Sequence, residues 1–429
     1  MSRRRAASNE PPGERAALIS LVTRASRGSD PDLIFEELAG LVEAAGARVV
    51  LRAVQERSGP DPATLIGRGK AEEIALACDE AGVTLAVFDN ELTPAQSRNL
   101  EEILRRRVVD RTEVILDIFA RRARTREGKL QVELAQLQYL LPRLAGVGVE
   151  LSGQGGGIGT RGPGETKLET DRRRIRHRIS VLKRDIGEVK RRRGHLRVRR
   201  HRRDVPTVAL VGYTNAGKTT LFNALTGSTA VASDALFVTL DPLVRRVKLP
   251  DARQMVISDT VGFIDRLPHH LVAAFHATLE EVTGADLLLH VIDAAAGDRD
   301  RRANAVRAVL LEVGTAHAPI LDVFNKCDLL SDEELARLKA VHPGAVFVSA
   351  RSGAGRADLV DIIATRMEMD AERVHLEFDS TRDADRRMVA DLYRHARVIS
   401  HVATDTRVSI EADVPRRLLG RFVNAKVPA

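Results

Sequence analysis

A glycine-rich segment carries a lysine and a threonine at the spacing of a phosphate-binding loop: Gly212 is followed, after four residues, by Gly217, Lys218 and Thr219. Glycines let such a loop curl so that its amides point at phosphate oxygens, and the helix that follows adds the positive end of its dipole. The lysine charge serves the β- and γ-phosphates, and the hydroxyl serves Mg²⁺. An apolar run precedes the loop and a helical pattern follows it, which argues against a chance glycine-rich turn.

Two motifs downstream contain the residue types that sense a γ-phosphate. Thr239, in "LFVTLDP", is predicted to bring a second hydroxyl to Mg²⁺ and the γ-phosphate from a switch loop. Asp259 and Gly262 begin and end "DTVG", which closes an apolar strand. The carboxylate is predicted to hold Mg²⁺ through water, and the Gly262 amide to meet the γ-phosphate. Lys218, Thr239 and Gly262 are therefore the candidate catalytic residues.

Two further motifs indicate that the base is guanine. Asp328 of "NKCD" can accept hydrogen bonds from the N1–H and the exocyclic amine of guanine, whereas adenine offers an acceptor and no amine. A site of this kind can favour guanine over adenine by up to about 10⁴-fold. "SAR" at 349–351 is predicted to close over the base; each short motif is weak alone, but together they predict a GTPase. The candidate GTP-binding set is Gly212, Tyr213, Thr214, Asn215, Ala216, Gly217, Lys218, Thr219, Phe237, Val238, Thr239, Leu240, Asp241, Asp259, Thr260, Val261, Gly262, Asn325, Lys326, Cys327, Asp328, Ser349, Ala350 and Arg351.

One position departs from the pattern of small signalling GTPases. Phe263 follows "DTVG" where those proteins carry a glutamine that orients the attacking water, and phenylalanine cannot do this. We therefore expect slow intrinsic hydrolysis and a site that another residue or a partner completes. His269 and His270 are candidates for that role, although a surface histidine pair is more often structural or neutral.

The elements that must position these residues predict a mixed α/β chain. Strand and helix patterns alternate near the N-terminus, with strands at 47–54 and 84–90 and helices at 70–82 and 94–106. Six strand patterns, mostly separated by helices, predict a doubly wound, mostly parallel sheet: 207–211, 243–249, 254–258, 286–293, 319–324 and 345–349. The predicted segments are a disordered tail (1–14), an N-terminal α/β domain (15–120), a basic helical hairpin with a glycine-rich tip (121–204), a P-loop GTPase domain (205–370) and a small α+β C-terminal domain with the order strand, helix, strand, strand (371–429).

The hairpin is predicted from two heptad seams. The first comprises Leu130, Leu134, Leu137, Leu141 and Leu144, and the second comprises Ile175, Ile179, Leu182, Ile186 and Val189. Between them, residues 145–164 carry nine glycines, so this segment is predicted to be a flexible tip that cannot be helical. Pro142 is predicted to end or bend the first arm.

Charge is concentrated on the second arm. Residues 166–203 hold 17 lysines and arginines against four acidic residues, a net charge of +13 in a chain whose total is +8. Such a segment is a candidate polyanion-binding surface, and the alternative is a solvated coiled coil with no ligand. The candidate RNA-binding residues are Arg161, Arg172, Arg173, Arg174, Arg176 and Arg178.

Composition limits the remaining classes of function. There is no run of about 18 apolar residues, so no transmembrane helix is predicted, and the basic N-terminus lacks an apolar signal core. Cys78 and Cys327 form no metal-ligand pattern. A reducing, cytoplasmic location is therefore expected.

With these motifs in view, the chain resembles the HflX family of translation-factor-related GTPases from about residue 20 to 420. "GYTNAGKTTLFNALT", "DTVGFIDRLPHHLVAAFHATLEE" and "EGKLQVELAQLQYLLPRL" are similar to motifs of that family, and "GGGIGTRGPGETKLETDRR" is highly specific to it. Thr219 stands where many members have serine, and either hydroxyl can ligate Mg²⁺. The resemblance implies GTP as substrate, Mg²⁺ as cofactor and binding to the large ribosomal subunit and its rRNA. It also implies that the N-terminal domain and hairpin lie near the peptidyl-transferase centre.

Three hypotheses of function remain open at this point. The leading one is a GTPase that binds the large subunit and splits stalled or idle ribosomes under stress, as some members of the family do. The second is a ribosome-assembly or dormancy factor that uses GTP only as a switch. The third is a GTP-controlled scaffold for a membrane or a protease, which the basic hairpin argues against because its tip lacks a large apolar face.

A second nucleotide site is also left open. The resemblance implies ATP binding in the N-terminal domain for some members, and "LIGRGKAEEI" at 65–74 places Gly67, Gly69 and Lys70 before a helix. A glycine–lysine turn that opens a helix is usually only a turn. The chain is expected to act as a monomer, although no motif addresses the oligomeric state.

Overall fold

The computed structural model describes residues 13–23, 31–144, 163–201, 205–233, 235–249, 254–265, 281–315, 318–368, 371–422 and 425. These residues form two compact units. The first contains the described residues up to Gly187 together with Ala235–Phe237, and the second contains the remainder. Each unit has a sheet and a hydrophobic core of its own.

The first unit is built on a four-stranded parallel sheet in the order β2-β1-β3-β4. Its elements are β1 (Arg15–Val22), α1 (Pro31–Ala44), β2 (Arg48–Glu56), α2 (Arg68–Glu80), β3 (Leu85–Phe88), α3 (Pro94–Leu104), β4 (Arg107–Asp110) and α4 (Arg111–Arg122). Every residue of β3 is buried, as expected for a parallel strand covered on both faces. Ile19, Phe88 and Leu100 belong to one continuous core cluster. The predicted alternation of strand and helix is confirmed.

Local sequence sets the ends of two predicted helices. The Thr93 hydroxyl accepts the Gln96 amide and the Gln96 side chain accepts the Thr93 amide, a capping box, with Pro94 in the first turn of α3. Helix α2 ends at Glu80, and Gly82 has a positive φ of 61°. The predictions that Pro94 opens one helix and Gly82 stops the other are confirmed.

The two arms of the predicted hairpin are α5 (Arg126–Arg143) and α6 (Pro163–His201). The Glu133 carboxylate on α5 accepts two hydrogen bonds from the Arg178 guanidinium on α6, at 2.6 and 2.8 Å. The residues of the two heptad seams are half-buried, and Leu182 is fully buried. Pro142 lies in the last turn of α5, which ends one residue later, as predicted.

Two features of the arms differ from the sequence-based expectation. Helix α6 includes Pro163 and Gly164, which the glycine pattern assigns to the non-helical tip; proline is well tolerated in the first turn of a helix. The rest of the tip, 145–162, lies outside the described residues. In addition, α5 packs against α4 and buries a second face that the leucine pattern does not reveal, because two of its members are polar and one is glycine. That face comprises Glu127, Gly128, Gln131, Val132, Ala135 and Tyr139.

The second unit contains a six-stranded sheet in the order β10-β9-β8-β5-β7-β6. Its elements are β5 (Thr207–Gly212), α7 (Lys218–Thr226), β6 (Leu243–Lys248), β7 (Gln254–Asp259), β8 (Leu287–Asp293), α8 (Arg299–Glu312), β9 (Ile320–Asn325), α9 (Asp332–Val341), β10 (Val346–Phe347) and α10 (Arg356–Glu368). All neighbouring strands are parallel except β6, which pairs antiparallel with β7 at one edge. The predicted α/β fold with a mostly parallel sheet is confirmed. The carboxyl ends of β5, β7, β8 and β9 share one edge of the sheet, where ligands bind in folds of this type.

The last elements form a separate three-stranded antiparallel sheet in the order β11-β13-β12. They are β11 (Ala371–Asp379), α11 (Asp383–His395), β12 (Arg397–Ala403) and β13 (Arg407–Pro415). Phe378, Leu392 and Ile410 belong to its core. The predicted order of strand, helix, strand and strand is confirmed. Within the described part of the chain, no helix has both the length and the apolar character needed to cross a membrane.

Candidate nucleotide site

The predicted phosphate-binding loop joins the end of β5 to the start of α7. Gly212 and Gly217 have positive φ values of 154° and 88°. A Cβ at Gly212 would overlap the carbonyl of Val291 on β8, and a Cβ at Gly217 would overlap the side chain of Asn325. Both glycines are therefore required by close approach of neighbouring groups as well as by backbone conformation.

Lys218, the first residue of α7, is buried beneath this loop. Its Nζ donates hydrogen bonds to the carbonyls of Gly212 and Tyr213, at 3.0 and 2.8 Å. Burial lowers the pKa of the lysine to about 8, although the nearby Asp259 carboxylate acts in the opposite direction. The loop thus holds the ammonium group in a fixed place at the mouth of the predicted phosphate site.

The three residues predicted to serve Mg²⁺ come together beside the lysine. The Thr219 hydroxyl donates to Asp259 Oδ2 at 2.7 Å, and the Thr239 hydroxyl donates to the same oxygen at 3.1 Å. The two hydroxyl oxygens are 2.8 Å apart. Adjacent oxygen ligands in a magnesium octahedron, at 2.0–2.1 Å from the ion, are about 2.9 Å apart. The two threonines therefore have the spacing of neighbouring ligands.

Two further observations fit a cation at this place. Three short oxygen–oxygen distances join the two hydroxyls and the Asp259 carboxylate. When this carboxylate is ionised, the two hydroxyls supply only two protons, so one of the three contacts has no hydrogen bond. Asp259 Oδ1 is buried and has no hydrogen-bond partner among the described residues. Burial also raises the pKa of Asp259, an effect that Lys218 and the two threonine hydroxyls partly offset. An unpaired carboxylate oxygen in the interior is costly, and a cation would satisfy it.

Gly262, the residue predicted to meet the γ-phosphate, lies close to the phosphate loop. A Cβ there would lie 2.8 Å from Thr214 Cγ2 and 3.2 Å from Lys218 Nζ, so no larger residue fits. The next residue, Phe263, is only 2% exposed. Its ring is part of the interior and, as a hydrocarbon, has no polar atom that could hold an attacking water. His269 and His270, the residues considered as substitutes, lie outside the described residues.

Asn325, a buried residue of the predicted base-recognition motif, forms a hydrogen bond with the phosphate loop. Asn325 donates from Nδ2 to the Ala216 carbonyl and accepts at Oδ1 from the Ala350 amide, each at 2.9 Å. It therefore links the loop to the "SAR" segment. Asp328 follows in a short 3₁₀ helix and is exposed, as a residue that reads a base edge must be. Lys326 has a positive φ of 62° and pairs with Asp293 at 2.7 Å.

The other members of the predicted set differ in what their side chains do. Thr260 donates its hydroxyl to the Leu210 carbonyl at 2.6 Å, and the side chain therefore supports the sheet. Thr214 is buried with no partner for its hydroxyl among the described residues. Phe237, Leu240, Val261 and Ser349 are buried, Asn215 and Arg351 are exposed, and Val238, Asp241 and Cys327 are half-buried.

Sequence reasoning missed a charged cluster beside the loop. Arg301 on α8 contacts Asp265 and Asp298, at 2.5 and 2.6 Å, and Tyr213 Oη accepts the Asp265 amide. Asp265 and Arg301 are 36 positions apart, and no local pattern announces their meeting. Only the position of Asp265, shortly after "DTVG", was a signal that it belongs to the site.

The predicted RNA-binding arginines are distributed unevenly over α6. Arg173, Arg174 and Arg176 are exposed, whereas Arg172 is half-buried. Arg178 is bound by Glu133 through both carboxylate oxygens, so part of its hydrogen-bonding capacity is used within the hairpin. Arg161 lies outside the described residues.

Models of known families match three successive parts of the chain. Residues 34–120 match a family described as the N-terminal region of GTP-binding GTPases, and residues 122–200 match the middle region of the same group. Residues 207–326 match a family described as a 50S ribosome-binding GTPase. The third match contains the predicted phosphate loop, the two threonines predicted to hold Mg²⁺ and the asparagine of the predicted base motif.

Curated relatives match nearly the whole chain. GTPase HflX from Caldanaerobacter subterraneus subsp. tengcongensis is 43% identical over 413 residues, covering 96% of this chain and 93% of the relative. GTPase HflX from Escherichia coli strain K12 is 48% identical over 357 residues, covering 83% of each. The chain belongs to the HflX family of GTPases. The resemblance noted in the sequence is thereby confirmed.

A solved structure is similar over part of the fold. The GTP-binding protein of Sulfolobus solfataricus in complex with GDP is 26% identical, and the match covers 82% of this chain and 98% of that one, with a TM-score of 0.43. The assignment to the HflX family is based on the sequence relatives and the family models.

Proposed function

We propose that this HflX family member hydrolyses GTP to GDP and phosphate and acts in the cytoplasm on the large ribosomal subunit. The observation that carries the proposal is the convergence of Thr219, Thr239 and Asp259 beside the buried lysine of the phosphate loop. Lys218 and Thr219 belong to the phosphate loop, Thr239 belongs to the predicted switch loop, and Asp259 belongs to "DTVG". The site therefore combines the parts that a GTP-dependent switch requires. The relatives are named GTPase HflX, and the family model over residues 207–326 is described as ribosome-binding.

Each residue has a distinct role in the proposed reaction. Lys218 holds positive charge against the β- and γ-phosphates, and the loop amides bind the remaining phosphate oxygens. The Thr219 and Thr239 hydroxyls would hold Mg²⁺, with Asp259 behind them, and the ion would neutralise charge that develops between the β- and γ-phosphates. Gly262 brings a main-chain amide to the γ-phosphate, and Asp328 selects guanine.

Hydrolysis by the isolated chain should be slow. Because the Phe263 side chain is a hydrocarbon ring, it cannot orient water by a hydrogen bond. The proposal is that the ribosome, or a residue it reorders, completes the site. GTP would then be hydrolysed mainly when the protein is bound to the ribosome.

The exposed arginines of α6 are the proposed contacts with rRNA. Each lysine or arginine that neutralises a phosphate releases counterions, so binding weakens as salt rises. Arg173 and Arg174 are exposed and make at most one long ion pair in the described structure, between Arg174 and Asp171 at 3.7 Å. They are therefore better probes than Arg178, whose replacement would also break the contact with α5.

The test of this surface is the salt dependence of binding to purified large subunits. Arg173→Ala combined with Arg174→Ala should flatten the slope of log affinity against log salt by about one unit for each phosphate that is no longer neutralised. Arg337→Ala combined with Lys339→Ala, which removes two exposed charges from α9, is the matched control. If both pairs change the slope equally, α6 is not the RNA-binding surface.

Whether binding splits ribosomes distinguishes the leading proposal from its alternative, a GTP-switched assembly or dormancy factor. Shortening the tip between Gly155 and Gly162 stops before α6 begins and leaves both described arms intact. If the tip acts as a wedge, this variant binds large subunits but does not separate 70S ribosomes in sedimentation with a non-hydrolysable GTP analogue. If it separates them as well as the intact chain does, the hairpin is only a tether and the switch model is favoured.

ATP binding by the N-terminal unit stays a prediction. The Gly67 amide donates to the Gln55 side chain at 2.8 Å, and Lys70 pairs with Glu73 at 2.7 Å. Both groups that would contact phosphate therefore already have partners within the unit, which counts against a phosphate site at this turn.

A further inference from the structure

The residues that follow "DTVG" are held beside the phosphate loop by main-chain hydrogen bonds. We call Phe263–Asp265 the switch stem. The Phe263 amide donates to the Gly212 carbonyl at 3.1 Å, and its carbonyl accepts from the Thr214 amide at 2.7 Å. This pairing extends the edge of the loop and fixes the position of Gly262, which immediately precedes the stem.

Side chains from two other places hold the far end of the stem. The Asp265 amide donates to Tyr213 Oη at 2.9 Å. The Asp265 carboxylate accepts from Arg301 Nη1 at 2.5 Å, while Arg301 Nη2 donates to Asp298 at 2.6 Å. The stem is therefore joined to the phosphate loop through Tyr213 and to the start of α8 through Arg301.

The Arg301 side chain is held in place by Asp298. Only 8% of the Asp298 side chain is exposed, and this carboxylate contacts Arg302 as well as Arg301, at 2.6 Å in each case. The Arg302 guanidinium lies 5.2 Å from the centre of the Tyr213 ring. The Asp298 carboxylate thus contacts both arginines. Arg301 binds the switch stem, and Arg302 lies near the ring of Tyr213, which also binds the stem.

We propose that Tyr213 and Arg301 are positioning residues that keep Gly262 in place for the γ-phosphate, and that they thereby set the preference for GTP over GDP. The inference extends the proposed GTPase function and rests on it. GDP has no γ-phosphate, so contacts made through Gly262 contribute only when GTP is bound. Loosening the stem should therefore weaken GTP binding and leave GDP binding unchanged.

The test compares affinities for GDP and a non-hydrolysable GTP analogue in the full-length protein with Mg²⁺. Tyr213→Phe removes only the hydroxyl, and Arg301→Ala removes the ion pair. Each should lower the ratio of GTP-analogue to GDP affinity by about three- to tenfold, the upper range for partly exposed ion pairs and the usual range for neutral hydrogen bonds. In Arg301→Ala, which lies outside the predicted GTP-binding set, GDP affinity and the unfolding temperature should stay at wild-type values, which a merely structural role would not predict.

Matched substitutions elsewhere serve as controls. Tyr393→Phe removes a hydroxyl that contacts His401 in the C-terminal sheet, and Arg337→Ala breaks an exposed pair with Glu333 on α9. Neither should change the ratio. Asp265→Ala should lower the ratio in the same direction as Arg301→Ala, and the two effects should be less than additive in the double variant, because both substitutions remove the Asp265–Arg301 contact.

The outcomes separate the inference from the function on which it rests. If the wild-type chain binds both nucleotides and the ratio in Tyr213→Phe and Arg301→Ala is unchanged or raised, the positioning role is overturned and the GTPase proposal stands. If the wild-type chain binds neither guanine nucleotide, the proposed function fails and the inference fails with it.

Discussion

Helices α7 and α2 both begin near a glycine–lysine pair, but the two lysines have different surroundings. Lys218 at the start of α7 is buried and donates to two carbonyls of the preceding loop. Lys70 in the first turn of α2 is partly exposed and pairs with Glu73 on the same helix. The first lysine is fixed by the loop at the predicted phosphate site, whereas the second forms an ordinary surface pair.

The glycines differ in the same way. Gly217 has a positive φ and no room for a Cβ, because the Asn325 side chain occupies that space. Gly69 has a Cβ position with nothing within 4 Å. A glycine–lysine pair therefore does not make a phosphate site. What makes one is the convergence of elements from other strands onto the loop, as Asn325 and Asp259 do here.

The largest effect is expected from replacing Lys218 or Thr219, the two residues at the end of the phosphate loop. Lys218→Ala and Thr219→Ala should each reduce GTP turnover by at least about 100-fold, since each removes a preorganised contact to phosphate or Mg²⁺. Lys70→Ala is the matched control and should leave turnover unchanged. Turnover would be followed as phosphate release at saturating GTP. Normal hydrolysis by either loop variant would contradict the assignment of the phosphate site.

Base selection should be the next largest effect. Asp328→Asn replaces a carboxylate acceptor with an amide whose NH₂ group can donate, so guanine loses its partner and the 2-oxo group of xanthine gains one. GTP affinity should fall by about 100-fold or more, and XTP affinity should rise. Competition binding with GTP, XTP and ATP measures the change. Unaltered GTP affinity would mean that Asp328 does not read the base.

The buried position of Lys218 predicts a pH dependence of Mg·GTP binding. In the free protein the pKa of this lysine is lowered to about 8, whereas bound phosphates favour its charged form. Above that pH the complex binds more protons than the free protein does, so affinity must fall as pH rises. Charged-fraction arithmetic gives about a fourfold loss from pH 7 to 8.5.

Calorimetric titration at the two pH values tests this dependence. Guanosine, which has no phosphates, is the control ligand and should bind equally at both. Equal Mg·GTP affinity at pH 7 and 8.5 would show that the Lys218 ammonium is not titrating in the free site.

The smallest effect is expected from replacing Gly69, the glycine of the second glycine–lysine pair. Gly69→Ala replaces glycine in the first turn of α2, at a place with open space and no positive φ. The substitution should raise the free energy of unfolding by up to about 1 kcal/mol, because alanine loses less backbone entropy in a helix. Chemical denaturation of the full chain measures it. A marked loss of stability would indicate that this turn has a requirement for glycine that the structure does not show.

Sequence alone predicted much of this fold, because the strands of the parallel sheet are apolar runs with distinct ends. It also predicted the candidate site residues that come together, since phosphate chemistry requires fixed residue types at fixed spacing. Thr219, Thr239 and Asp259 lie far apart in the chain, yet each motif could be identified by itself.

The parts that were not predicted depend on contacts without a local pattern. The second buried face of α5 contains Glu127, Gly128 and Gln131, whose polar or small side chains give no apolar periodicity. The pairing of Arg301 with Asp265 joins segments that are distant in sequence, and charged residues at these positions look like ordinary solvent-exposed ones. Neither contact follows from periodicity or from a motif.

The proposed function is tested most directly by measuring GTP hydrolysis with and without purified large ribosomal subunits. We expect slow turnover by the isolated chain, because the Phe263 ring has no polar atom to orient water, and a marked stimulation when large subunits are added. The Lys218→Ala variant should show no turnover above background in either condition. Equal turnover with and without subunits would contradict the proposal that the ribosome completes this site.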